Sequence, residues 1–177
     1  MPSWLGQVPG DHPRSPTPVW EKVVGKWAAD HFAEIAPFLA KNGGNVVMTQ
    51  AENEYSCHEG NDPSCTAYME SLHDLAVSLD TGLLWENCHG TVAPGMIGAG
   101  NGCGGVAPAV GNRIPRSTLP RGPGDFNDSS TFPAMITEDE QWFDAWGYAN
   151  VERSPTNVAY GVAAFVGSGA AMHNYYM

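Results

Sequence analysis

The chain has 177 residues, of which 42% are hydrophobic and only 15% are charged, so its composition is that of a globular protein and not of a disordered one. Its 8 basic and 19 acidic residues give a net charge of -11, which makes nucleic acids and anionic membrane surfaces poor partners. No apolar run approaches the ~20 residues of a membrane span. The length suffices for one domain with a sizeable core.

The first third of the chain is predicted to form a helix followed by a strand. Thr17 is placed as an N-cap, with Pro18 at the first helical position. Apolar residues then recur with the spacing of a buried helix face as far as Ile35, and Pro37 kinks or ends the helix. The short apolar run at 45–50 has the character of a buried strand in a parallel sheet.

The rest of the chain continues this alternation. Thr66 is predicted to cap a second helix that ends near Gly82, and Ser154-Pro155 to start a last helix. Further short strands are predicted near positions 83, 96, 133 and 170. The pattern favours an α/β fold with a parallel sheet. Five strands are too few to close an eight-stranded barrel, so an open sheet and a piece of a barrel both remain possible.

Acidic residues follow two of the predicted strands. Glu52-Asn53-Glu54 comes directly after the run at 45–50, and Glu138 ends the run at 133–137. An isolated Glu-x-Glu is more often a solvated turn. Catalytic groups of barrel enzymes, however, lie at the carboxyl ends of strands, so two such sites together indicate chemistry. Glu52 is expected to support the site, either within it or as the buried partner of a cation.

The four cysteines allow three disulfide pairings; they are Cys57, Cys65, Cys88 and Cys103. The sequence leaves open whether a disulfide forms. Cys57 and Cys65 are the favoured pair, because the loop between them is short and polar. Cys57-His58 and Cys88-His89 hint at a metal, but the Cys-x-x-Cys spacing of structural zinc is missing, so no metal site is predicted. The sequon Asn127-Asp128-Ser129 fits a secreted setting.

Three spaced segments carry a resemblance to one known family. The segment from Gly43 to Tyr55 resembles the signature GGP-apolar-Q-x-ENEYG. Thr137-Glu138, with the aromatic residues at 142–146, resembles TEN-x-x-GWF-x-x-x-G, and the segment 174–177 matches NYYM. These are signatures of glycoside hydrolase family 35, the β-galactosidases. The resemblance covers nearly the whole chain, with the motifs in the family's order.

The resemblance implies a (β/α)₈ TIM barrel that hydrolyses terminal non-reducing β-D-galactosyl residues with retention, without a cofactor. It makes Glu54 the acid/base and Glu138 the nucleophile, with Asn53 contacting the sugar and Tyr176 lining its site. Retaining chemistry requires one neutral carboxyl and one ionised carboxylate ~5–5.5 Å apart. Further aromatic candidates for the sugar are Trp142, Trp146 and Tyr175. The substrate would be a β-galactoside on an oligosaccharide or glycoconjugate, in an extracellular, vacuolar or lysosomal setting.

Residues 1–177 are expected to be a partial catalytic barrel domain. They correspond to about strands 4 to 8, and the first strands and the C-terminal β-domains of the family are missing. Asp139-Glu140 replaces the family's usual Asn and aromatic after Glu138. This places up to three carboxylates together, and their mutual repulsion is unfavourable unless a cation offsets it. Two alternatives to β-galactosidase activity stay open. One is an inactive barrel fragment with at most carbohydrate binding, and the other is a retaining exo-β-glycosidase such as an exo-β-glucosaminidase.

Overall fold

The computed structural model describes residues 3–57, 63–88, 90–103, 135–140, 154–167 and 170–176. Within these residues it contains three α-helices and five β-strands. The helices are α1 (Pro18–Ile35), α2 (Pro63–Leu79) and α3 (Pro155–Gly167). The strands are β1 (Met48–Asn53), β2 (Leu84–Cys88), β3 (Ile97–Cys103), β4 (Met135–Glu140) and β5 (Met172–Tyr176).

The strands form one sheet in the order β1-β2-β3-β4-β5, so each strand neighbours the next one along the chain. The pairs β3–β4 and β4–β5 are parallel. Between β1 and β2, the amide of Leu84 donates to the carbonyl of Val47 and the amide of Glu54 donates to the carbonyl of Cys88. Both segments therefore advance in the same direction. Parallel neighbours need crossover connections, and α2 and α3 lie in two of them. The predicted α/β fold with a parallel sheet is confirmed.

Helix α1 begins and ends where its local signals predict. The side chain of Thr17 accepts a hydrogen bond from the amide of Trp20 at 3.4 Å, and Pro18 occupies the first helical position. The helix ends at Ile35, and Pro37 lies in the short 3₁₀ turn that follows. Proline cannot donate the helical hydrogen bond at that position, so the predicted end of α1 is confirmed.

Other boundaries differ from the prediction. Helix α2 starts at Pro63 and not at Thr66, because a proline suits the first turn of a helix as well as a threonine cap does. Strands β1 and β4 extend through the acidic residues that were expected to follow them, to Asn53 and Glu140. Pairing with neighbouring strands outweighs the weak strand propensity of acidic residues. Glu138 therefore lies within β4, whereas Glu54 is the first residue after β1.

The chain divides into two compact units. The first comprises Met1–Ala51, Ser56–Glu86 and Ala93–Met96, and the second comprises Glu52–Tyr55, Asn87–Val92 and Ile97–Met177. The core of the first unit forms where α1 meets the sheet, around Ala28, Phe32, Leu39 and Leu83. The ring of Phe32 lies 5.3 Å from that of Trp85. No described helix combines the length and apolar character that crossing a membrane requires.

Candidate active site

Glu54 is the first residue after β1, and its backbone is in the left-handed region, with φ at 54°. For a residue with a side chain this conformation costs about 1–2 kcal/mol, and such strain concentrates at functional sites. Two hydrogen bonds hold the turn. The amide of Glu54 donates to the carbonyl of Cys88 at 2.7 Å, and the carbonyl of Tyr55 accepts from the amide of Thr91 at 2.8 Å. The Glu54 side chain is exposed to solvent.

Glu52 and Asn53 are the last two residues of β1. A carboxylate oxygen of Glu52 accepts a hydrogen bond from the amide of Asn53 at 2.8 Å, and the supporting role of Glu52 stays a prediction. Strand alternation cannot align Glu52 with Glu54, because Glu54 lies beyond the strand in a left-handed conformation. The side chain of Asn53 is exposed.

Strand β4 carries a bulge immediately before Glu138. On β3, the adjacent residues Gly100 and Asn101 pair with Ile136 and Glu138. Thr137 is therefore an extra residue in β4 with no counterpart on β3. A bulge of this kind resets the alternation of the strand and re-aims the side chains that follow it. Glu138 consequently points to the face opposite to that of Ile136, although the two are separated by a single residue.

The bulged Thr137 is held by its two neighbours in space. Its hydroxyl donates to the sulfur of Cys88 at 2.6 Å, and both groups are buried. Its carbonyl accepts a hydrogen bond from the side-chain amide of Asn174 at 2.9 Å. A bulge leaves backbone groups outside the regular ladder, and here an asparagine side chain satisfies one of them. Thr137, the residue before Glu138, is thereby held by contacts to both β2 and β5.

The side chains of β4 and β5 divide between two faces of the sheet. Asp139 pairs with Tyr175, so these residues share one face, and Glu138 points to the other. On β5, Asn174 and Tyr176 flank Tyr175 and point to the face of Glu138. Tyr176 is 52% exposed, while Glu138 is partly buried. The geometry therefore brings Glu138 and Tyr176 to one face of the sheet.

The placement of Tyr175 differs from that of Tyr176. Tyr175 lies on the face opposite to Glu138 and packs edge-on against the ring of His173, at 4.5 Å between ring centroids. A one-residue step along a strand reverses the side chain, so Tyr175 does not share a face with Glu138, and a role for it toward the sugar stays a prediction. Trp142 and Trp146 lie outside the described residues.

The cysteines divide into two kinds. Cys57 and Cys65 form a disulfide with their Cα atoms 5.6 Å apart, which confirms the favoured pair. Cys88 is not part of a disulfide; its thiol is 2% exposed and accepts the hydrogen bond from Thr137. Since Cys57 is oxidised, it offers no thiolate to a metal. His58, His89 and the sequon at 127–129 lie outside the described residues.

Sequence reasoning assigned no site role to three further residues of the second compact unit. Asn87 and Cys88 end β2 and are both buried, and His173 on β5 contacts the carboxylate of Asp139. The sequence carries a signal for Asn87, because the polar pair Glu86-Asn87 follows the apolar residues 83–85, as Glu52-Asn53 follows the apolar run at 45–50. No local pattern marks His173, because its partner is 34 residues away in the chain.

The candidate site residues are gathered in one part of the structure. Asn53, Glu54, Glu138 and Tyr176 all belong to the second compact unit. Glu54 follows β1 and Glu138 lies near the carboxyl end of β4. Strands of a parallel sheet present their carboxyl ends at the same edge, which is where α/β enzymes bind ligands. Two carboxylates, an amide and a phenol at that edge form an arrangement suited to acid/base and nucleophilic chemistry on a hydroxylated substrate.

Comparison with known proteins identifies the family of the chain. The profile of the family described as glycosyl hydrolases family 35 matches residues 1–177. Beta-galactosidase 10 of Arabidopsis thaliana is 28% identical over 184 residues, covering 100% of this chain and 22% of that protein. Beta-galactosidase 6 of Oryza sativa subsp. japonica is 30% identical over 188 residues, covering 100% and 19%. The Beta-galactosidase-1-like protein of Mus musculus is 30% identical over 189 residues, covering 99% and 26%.

This chain therefore spans about a fifth to a quarter of the length of these relatives. The family match nevertheless extends over all of its residues, including both acidic sites and the last strand. The chain belongs to glycosyl hydrolases family 35.

Proposed function

We propose that residues 1–177 are part of the catalytic domain of a β-galactosidase, corresponding to about strands 4 to 8 of a (β/α)₈ barrel. The reaction is the hydrolysis of terminal non-reducing β-D-galactosyl residues with retention at the anomeric carbon. One observation carries this proposal. Within a whole-chain match to the family, Glu54 and Glu138 come at the carboxyl ends of two parallel strands in the same compact unit.

In the first step of the proposed mechanism, Glu138 is the nucleophile and Glu54 the acid. The carboxylate of Glu138 attacks the anomeric carbon of the galactosyl unit and forms an ester bond to it. The bond from that carbon to the aglycone oxygen breaks at the same time, and Glu54 protonates the departing oxygen. The products of this step are the free aglycone and a galactosyl ester of Glu138.

In the second step, water replaces the enzyme at the anomeric carbon. Glu54, now ionised, takes a proton from the water as its oxygen attacks, and the ester bond to Glu138 breaks. The second inversion restores the original anomer, and both glutamates return to their starting protonation states. Each half of the reaction needs the same two residues, which explains why one acidic pair suffices without a cofactor.

Asn53 and Tyr176 are assigned to sugar binding. The side chain of Asn53 is exposed beside Glu54, and an amide can both donate to and accept from sugar hydroxyls. Tyr176 shares the face of Glu138 and is half-exposed, so its ring and hydroxyl are both available to a pyranose. The substrate class is a β-galactoside carried on an oligosaccharide or glycoconjugate.

The experiment that tests this function is turnover of an aryl β-D-galactoside by the chain and by Glu54→Gln and Glu138→Gln. We expect each variant to lose at least 10²-fold in kcat. Glu21→Gln, an exposed glutamate on α1, is the matched control and should keep full activity. Faster turnover of an aryl β-glucosaminide would contradict the galactoside assignment. Galactose binding without any turnover would identify an inactive sugar-binding chain.

A further inference from the structure

Asp139 is a buried carboxylate directly after the proposed nucleophile. The residue is 6% exposed, and its Oδ2 atom lies 2.6 Å from Nε2 of His173, whose side chain is 10% exposed. A carboxylate so far from solvent is costly unless it is hydrogen-bonded. The pair joins β4 to β5, so it also acts as a side-chain link between neighbouring strands.

Aromatic rings close the environment of His173. Its imidazole packs edge-on against Tyr175 at 4.5 Å and faces Phe165 of α3 at 6.4 Å. Because a carboxylate oxygen can only accept, the 2.6 Å contact pairs Asp139 with the tautomer in which Nε2 carries a proton and donates. This contact supplies the partner that the crowded sequence Glu138-Asp139 requires, and it does so on the face of the sheet away from Glu138.

The pair completes a clamp on the backbone that carries Glu138. On one side of Glu138, the carbonyl of Thr137 accepts from the side chain of Asn174. On the other side, Asp139 is held by His173. Both partners belong to β5, so the residues before and after Glu138 are each tied to the same neighbouring strand. The bulge would otherwise allow β4 to shift by one residue, and such a shift would turn Glu138 to the opposite face.

We infer that Asp139 and His173 form a positioning pair that locks the bulged β4 in the register in which Glu138 faces the sugar. This role rests on the proposed function, because it concerns the nucleophile of that reaction. The pair itself touches no substrate. Its loss misplaces the attacking carboxylate, and misplacement by about 1 Å can cost on the order of 10²-fold in rate. The loss should appear in kcat and not in KM, because Asn53 and Tyr176 continue to bind the sugar.

The test compares three replacements in the 177-residue chain. His173→Leu removes the donor and should lower kcat by roughly 10- to 100-fold while KM changes by less than about threefold. His173→Gln keeps an N–H donor near the position of Nε2 and should retain kcat within a few fold. The double variant Asp139→Leu/His173→Leu removes the link without leaving a buried charge. It should remain folded and show the same kcat loss as His173→Leu. The double variant therefore tests the positioning role even if His173→Leu does not fold.

The control is His73→Leu, which removes another histidine hydrogen bond, the one to the carbonyl of Pro94 in the first compact unit. It should leave kcat unchanged. Active-site titration with a slow 2-deoxy-2-fluoro-galactoside gives kcat per competent site, so a partly unfolded sample does not mimic a loss of rate. Unchanged kcat in the folded double variant would overturn the positioning role, as would an equal loss with Gln and Leu. If the unaltered chain shows no turnover at all, the proposed function itself has failed, and the positioning role fails with it.

Discussion

Cys88 and Thr137 are in side-chain contact although their strands, β2 and β4, are not neighbours in the sheet: the Thr137 hydroxyl donates to the Cys88 sulfur at 2.6 Å. The carbonyl of the same cysteine accepts a hydrogen bond from the amide of Glu54 at 2.7 Å. One buried residue thus contacts the turn that carries Glu54 and the bulge that precedes Glu138. Cys88 therefore connects the segments of both proposed catalytic residues.

Replacing Cys88 by Ala should lower activity as well as stability. The variant loses the contact to Thr137 and leaves a small cavity, which should cost about 1–3 kcal/mol in the free energy of unfolding. We expect kcat to fall about tenfold, because the bulge before Glu138 loses the side-chain contact to Cys88, while the backbone bond to the Glu54 amide is kept. Cys88→Ser keeps a hydrogen-bonding atom and should recover most of the rate. Denaturant unfolding and steady-state kinetics measure the two effects.

The matched control for Cys88 is Thr81→Val. The Thr81 hydroxyl is also buried and accepts a hydrogen bond from the amide of Leu83, but it belongs to the first compact unit. This variant should lose stability without a change in kcat. An equal effect of both variants on kcat would mean that Cys88 acts only through general stability.

Replacing Glu54 by Gly should abolish activity and stabilise the fold. Glycine adopts the left-handed conformation of this position without steric cost, so the free energy of unfolding should rise by about 1 kcal/mol. Asp80→Gly is the control, since Asp80 has φ at 43° outside the candidate site. It should show a similar gain and keep its activity. A destabilised Glu54→Gly variant would contradict this prediction, because the contacts of the Glu54 side chain would then outweigh the backbone strain.

Reducing the Cys57–Cys65 disulfide should lower stability. The bridge spans a sequence separation of 8, and loop-closure entropy for a loop of this size corresponds to about 2.5 kcal/mol. Thermal unfolding with and without reductant should therefore show a clear drop in Tm. Cys57→Ser/Cys65→Ser should have the lower Tm under both conditions and be insensitive to reductant. Equal Tm values for all samples would contradict a stabilising bridge.

Core packing beneath the sheet should depend on Phe32. This residue is 8% exposed and contacts Trp85, so Phe32→Ala should cost about 3–5 kcal/mol in the free energy of unfolding. Trp27, one turn away on the same helix, is 64% exposed, and Trp27→Ala should cost less than about 1 kcal/mol. Chemical denaturation of both variants decides the comparison. Similar losses of unfolding free energy in both variants would contradict the packing of the Phe32 face of α1 against the sheet.

The parts of the fold that follow from local signals could be predicted from the sequence. Thr17, Pro18 and Pro37 each act within one helical turn, so both ends of α1 could be read directly. The Cys57–Cys65 bridge was favoured for the same reason, since its loop is short. Each acidic segment can be recognised because it follows an apolar run. Both segments lie at the carboxyl end of a strand, although β1 and β4 extend further than the apolar runs do.

The bulge at Thr137 could not be predicted in this way. It exists because β4 is aligned with two other strands at once, and that alignment is set by residues far apart in the chain. The opposite faces of Glu138 and Asp139, and the contact of Asp139 with His173, follow from it. The sequence indicated only that the carboxylate beside Glu138 needed a partner. Its identity depended on the register between β4 and β5.

The assignment of distinct roles to Glu54 and Glu138 is tested most directly by azide rescue of two alanine variants with an activated aryl β-galactoside. In Glu138→Ala, azide occupies the space of the nucleophile and should yield α-galactosyl azide by a single inversion. In Glu54→Ala, the ester to Glu138 still forms, and azide should displace it from the other side to yield β-galactosyl azide. Opposite anomers from the two variants are the predicted result. The same anomer from both, or no rescue of either, would contradict the central claim.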